Sequence, residues 1–316
     1  MRKVLLATTA LVALGGVSAA SADVTLSGKT MFNFTSWSDN LTDTNGANNS
    51  TIATSHEVDV TATATTDSGL TWSTNIDLHD SSGAGQENLS LSGDGWTLYM
   101  SDQNDGDGDA FATSANPVAD KDYGSITPTW SGNEAVDGGM VSLKSTFGPV
   151  SFAVGHKDGG TDGDDSLSYG VSYSTTAAGA GITIQYAASD ANTTTGVQGV
   201  KATSMGVKIT SGDLGITLAQ NTQETNVGSS TTSDYTSNGI AVTYKISDVL
   251  SVAAQSKGVD DDLANGTYKF NETAASLSYT IGAGLAAHLS VTDWNEKGVT
   301  TPTNGTSTEL ELAVSF

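Results

Sequence analysis

Glu309-Leu310-Glu311-Leu312-Ala313-Val314-Ser315-Phe316 alternates polar and apolar residues and finishes on an aromatic one. A period of two means a strand with one apolar and one polar face. At the other end, Met1-Arg2-Lys3 precedes an apolar run from Val4 to Val17, and Ala20-Ser21-Ala22 supplies a small-x-small cleavage site. That order is the tripartite pattern of a secretory signal. The run is shorter than the ~20 residues a membrane-spanning helix needs. Residues 1–22 are therefore expected to be removed, leaving an exported domain of residues 23–316. An exported chain of alternating strands that closes on an aromatic strand reads as a β-barrel of a bacterial outer membrane.

Composition narrows the classes. No later stretch approaches ~18 consecutive apolar residues, the length that would indicate a spanning helix. Leu, Ile and Phe are sparse while Thr, Ser, Gly and Ala abound, which suits a wall one strand thick better than a dense core. The chain carries 35 acidic and 12 basic side chains, for a formal charge of −23. Beyond residue 22 the bases are lysines only, with no arginine. Nucleic acid is excluded as a partner, because binding it needs a basic footprint. Cysteine is absent, which excludes disulfides, thiol catalysis and zinc–thiolate sites.

Between the ends the chain reads as strands joined by connections that alternate long and short. Short ones fall at Thr66-Asp67-Ser68-Gly69, Gly93-Asp94-Gly95, Phe147-Gly148-Pro149, 175–181, Ser211-Gly212-Asp213, Ser247-Asp248 and Gly282-Ala283-Gly284. Long ones are expected at 38–50, ahead of Leu89, at 101–139, 157–165, 188–201, 221–237, 257–267 and 293–307. The count is sixteen antiparallel strands. An even number, short turns on one side and long loops on the other are the marks of an outer-membrane barrel.

Charge placement supports hydrocarbon on the apolar side. A lysine facing lipid near the bilayer midplane costs about 2–4 kcal/mol, so charges should occupy the opposite phase. Lys29, Glu57, Asp59, Asp77 and Lys144 do so, as do Lys208, Lys245, Glu309 and Glu311. Lys201, Lys269 and Asp293 are out of phase and fall near strand ends. Tyr169, Tyr173, Tyr186, Tyr244 and Tyr279 share the apolar phase, as interfacial girdles require. A soluble sandwich, adhesin or solenoid would also alternate, but has no need of the long–short rhythm.

The segment Leu89-Ser90-Leu91-Ser92-Gly93-Asp94-Gly95-Trp96-Thr97-Leu98, the long connection after it and the terminal Phe316 together resemble the general porins of Gram-negative bacteria, most closely those of photosynthetic and related alphaproteobacteria. The resemblance covers the whole exported domain. It implies a sixteen-stranded transmembrane barrel that assembles as a homotrimer among outer-membrane lipid and lipopolysaccharide, with its third loop folded into the lumen. Phe316 would be the signal to the insertion machinery. The constriction loop would be 101–139, carrying Asp102, Asp105, Asp107, Asp109, Asp120, Asp122, Glu134 and Asp137, with Lys121 as its one base. Lys29 and Lys144 fall where relatives place basic wall residues. The family's arginine cluster is absent, and Glu57 and Asp59 stand on an expected basic wall, which favours a more uniformly negative pore.

Other chemistry is thinly signalled. Asn104-Asp105-Gly106-Asp107-Gly108-Asp109 spaces carboxylates like a calcium loop, but Ala110 and Asn116 stand where an EF-hand needs Gly and Glu. A looser calcium site on Asp105, Asp107 and Asp109 is the one metal expected; no other cofactor is. Asp162, Asp164 and Asp165, and separately Asp260, Asp261 and Asp262, are weaker candidates that would meet divalent cations bridging lipopolysaccharide. His56, His79, His156 and His288 are isolated in sequence, and no catalytic constellation is expected. The reading is a passive, water-filled, cation-preferring pore for small hydrophilic solutes and ions. Its rivals are a substrate-specific channel, which would need aromatics along the lumen, and a soluble adhesin.

Overall fold

A computed structural model of the chain describes residues 22–39, 49–78, 87–101, 141–157, 165–193, 198–227, 230–263, 266–298 and 304–316. The signal segment and the acids of loop 101–139 lie outside these residues.

The described residues form sixteen strands. The first eight are β1 (Asp23–Asp39), β2 (Asn49–Thr65), β3 (Thr71–Asp77), β4 (Glu87–Gly93), β5 (Trp96–Ser101), β6 (Val141–Phe147), β7 (Val150–Lys157) and β8 (Asp165–Ala177). The rest are β9 (Ala180–Thr193), β10 (Gln198–Ser211), β11 (Leu214–Val227), β12 (Ser230–Ser247), β13 (Leu250–Leu263), β14 (Gly266–Gly282), β15 (Leu285–Lys297) and β16 (Asn304–Ser315). Each pairs antiparallel with its sequence neighbours, and β1 pairs with β16, so the sheet closes into a barrel. Closure leaves no open edge, the condition for a sheet to sit in lipid. The register slips at Thr225/Asn226, Lys245/Ser247 and Thr280/Gly282, as β-bulges do.

Which residues are covered decides between barrel and soluble sandwich. Many buried positions carry small residues on the inward phase, among them Ala153, Ala187, Ala202, Ala241, Ser142, Ser168 and Ser204. Leu218, Ile240, Val242, Phe152, Leu310 and Leu312 are exposed on the outward phase. A sandwich would bury this second set. A closed wall turns it outward, where hydrocarbon covers it. The five girdle tyrosines all face outward as expected, and Tyr169 and Tyr186 lie 6.5 Å apart between ring centroids.

The abundant hydroxyls belong to the inward phase, where they pair across strands. Thr61 Oγ1 donates to Asn75 Oδ1 at 3.0 Å, and Thr63 meets Ser73 at 3.0 Å. Ser92 meets Thr97 at 3.1 Å, Thr146 meets Ser151 at 2.8 Å and Ser174 meets Thr183 at 3.1 Å.

The short turns hold where the sequence placed them. The long connections do not: strands extend into ranges read as loops at 188–201, 221–237, 257–267 and 293–307. Beyond the membrane both faces of a strand meet water. Pairing of the backbone then continues without the apolar alternation that would announce it.

The inner wall as candidate functional site

The parity of each strand fixes which side chains line the lumen. Lys29 on β1, Glu57 and Asp59 on β2 and Lys144 on β6 all take the inward phase, and Asp77 is in register opposite Asp59. Asn75 Nδ2 donates to Asp59 Oδ1 at 3.5 Å. The strand extensions add Lys257 and Asp261 on β13, Glu272 on β14 and Glu296 on β15. Carrying the two-residue period past the apolar band would have found these four.

The wall is divided by charge. Among the described residues, inward carboxylates (Glu57, Asp59, Asp261, Glu272, Glu296, Glu309 and Glu311) gather on the arc from β13 through β16 and β1 to β2. The arc from β6 to β12 presents Lys144, Lys208 and Lys245 and no inward carboxylate. The described wall is therefore acid-rich along one arc, where Lys29 and Lys257 stand among the carboxylates, and carries lysines alone along the other.

Two features stand on the acidic arc. Lys257 Nζ lies 3.6 Å from Glu272 Oε2 with both side chains buried, and Gln255 Nε2 donates to Glu272 Oε1 at 3.0 Å. Nearer the long connections, Val259, Tyr268, Phe270 and Trp294 form a buried apolar cluster, with Trp37 and Tyr235 packed against it. These aromatics face inward, although most of the chain's aromatics face lipid. Their sequence surroundings are polar, so only the continued register of β12 to β15 shows where they point.

Lower on the same arc, Ser278, His288, Glu311 and Asn33 occupy one cross-strand row over β14, β15, β16 and β1. His288 Nδ1 and Ser278 Oγ are 2.8 Å apart. The order serine–histidine–carboxylate resembles a hydrolytic triad, but no hydrogen bond joins His288 to Glu311 among the described residues. The histidine therefore lacks an orienting carboxylate. His156 Nδ1 lies 3.0 Å from the Ser166 carbonyl. No group of three metal-ligating side chains occurs among the described residues. The calcium expectation at Asp105, Asp107 and Asp109 lies outside them.

A Gram-negative porin family model matches residues 7–316. The chain belongs to that family and is an outer-membrane channel rather than an enzyme. Solved structures agree on the fold. The chain is similar to an anion-selective porin from Comamonas acidovorans at 11% identity, with TM-score 0.70, over 93% of this chain and 100% of that one. A porin refined at 1.8 Å resolution matches at 18% identity and TM-score 0.67, with 93% and 100% covered. A trimeric form of OmpT, an outer-membrane protein of Vibrio cholerae, matches at 12% identity and TM-score 0.69, with 93% and 99% covered. The sequence matches no curated protein.

Proposed function

We propose that the protein is a general-diffusion porin for small hydrophilic solutes and ions, with a preference for cations. The observation that carries this reading is the inner wall. It is lined by polar and small side chains, and its inward carboxylates outnumber its lysines among the described residues. Acid-rich linings favour cations electrostatically. Loop 101–139, with eight acids against Lys121, narrows the pore and adds to that preference. The protein works as a homotrimer among lipid and lipopolysaccharide, after cleavage following Ala22, and stands nearest the alphaproteobacterial porins. The trimeric relative supports the assembly. The inward aromatic cluster is the one feature that favours a substrate-specific channel. Tyr268, Phe270 and Trp294 are each 5% exposed, so they offer no ring faces to a passing solute.

Reversal potentials across planar bilayers in a potassium chloride gradient test the selectivity. Cation preference is expected, and anion preference refutes it. Replacing Asp105, Asp107 and Asp109 by Asn should weaken the preference. An unchanged reversal potential would place them away from the constriction.

A further inference from the structure

A recess of about 350 Å³ opens on the inner wall between Lys29 of β1 and the pair Glu309 and Glu311 of β16, with His288 and Ser290 of β15 and Ser278 of β14 completing it. The volume lies at the lower end of the ~300–1,000 Å³ of small-molecule sites. Glu309 is 5% exposed. Among the described residues, neither Lys29 nor Glu311 forms an ion pair, although both line this one cavity. Glu57 stands in register with Lys29 but forms no ion pair with it. In the row of Glu311, Asn33 has a buried Oδ1 that accepts no hydrogen bond.

We propose that this recess is a resting subsite for small zwitterionic amino compounds. The ammonium group settles at Glu311, with the buried Glu309 carboxylate behind it, and the carboxylate meets Lys29. The inference deepens the diffusion-pore reading and rests on it. Other ligand classes fit less well. A simple anion meets two carboxylates, and a simple organic cation meets Lys29. A metal ion lacks a cluster of three ligands. A neutral sugar finds no aromatic platform in the lining. A ligand carrying both charges satisfies both ends without bringing Lys29 and Glu311 together, and charge-assisted hydrogen bonds are the strong ones. A second cavity adjoins the recess. Ser276 and Ser278 line both, and the second, of about 400 Å³, reaches the short-turn side at Lys245 and Asp248.

The test is block of single-channel potassium current by glycylglycine in planar bilayers holding the purified protein. Wild type should show saturable block. K29Q and E311Q should each raise the half-blocking concentration about tenfold, and the exchange K29E/E311K should recover most of the loss. Heat-modifiable gel migration identifies folded variants. In wild type alone, butylammonium and acetate at equal concentration should each block less than glycylglycine. Unsaturable glycylglycine flux, or equal block by butylammonium, overturns the proposal. A reversal potential taken in the same bilayers separates the two readings. Cation preference without saturable block removes the recess alone, whereas absence of any conductance removes both.

Discussion

Gly28 and Phe316 bond to each other at the end of the β1–β16 seam that closes the barrel. Gly28 N donates to the Phe316 carbonyl at 3.1 Å, and Phe316 N donates to the Gly28 carbonyl at 3.0 Å. The Phe316 ring lies where a Cβ at position 28 would sit. A side chain there must displace the aromatic ring at the seam between β1 and β16. G28V is expected to cost about 1–3 kcal/mol, the range for overpacking. F316A should relieve part of that cost, so the double mutant should be less destabilised than the sum. Urea titration of the refolded barrel, read by heat-modifiable migration, measures all three.

The β8–β9 turn contains a conformational conflict. Ala178 has φ of 52° and Gly179 has φ of 81°, as a two-residue hairpin with mirror-image turn geometry requires. Alanine in the left-handed region costs roughly 1–2 kcal/mol. A178N should stabilise the barrel by about 1 kcal/mol, because asparagine tolerates that region. A lower urea midpoint for A178N would contradict this.

The two faces of one strand should respond oppositely to charge. Leu218 and Ala219 are neighbours on β11, the first exposed outward and the second on the inward phase. L218K should destabilise by up to about 2–4 kcal/mol in lipid, while A219K should cost far less. Equal losses in vesicle-folded protein would contradict the assignment of faces.

The Lys257–Glu272 pair should behave as a buried ion pair. Removing one partner leaves an uncompensated charge, at a cost of about 3–5 kcal/mol. K257M should destabilise strongly, and K257M/E272M should recover most of the loss. Comparable instability of the two variants by thermal gel-shift would show that the pair carries no coupling.

At the β12–β13 turn, Lys245 Nζ donates to Asp248 Oδ1 at 2.8 Å, and this bond holds the exposed Asp248 carboxyl below its ordinary value. A lowered folded-state value gives stability that is present above the unfolded value. It is lost as pH falls through the folded one. D248N should flatten that acid limb of the thermal profile. An unchanged limb would show that the turn contributes nothing to it.

Much of the wall was legible because hydrocarbon imposes a strict code. Leu310, Leu312 and Val314 must face lipid, so Glu309 and Glu311 must face the lumen, and a two-residue period states both. The turns at 94–95 and 178–179 were legible because glycine marks positive φ. Lys257, Asp261 and Trp294 were passed over because they fall in ranges read as loops, where the outward face turns polar and only the period carried on from the apolar band gives their phase.

By itself the sequence determined the strand phase and the sixteen-strand rhythm, since both follow from local alternation and turn residues. Tertiary structure alone decided how the first and last strands meet and in what register. Closure through Gly28 and Phe316 placed Lys29 beside β16, and pairing of β14 with β15 joined Ser278 to His288. The recess arises from the seam, which brings Lys29 beside Glu309 and Glu311 from the far end of the chain, because electrostatic attraction and hydrogen bonding act through space rather than along the chain.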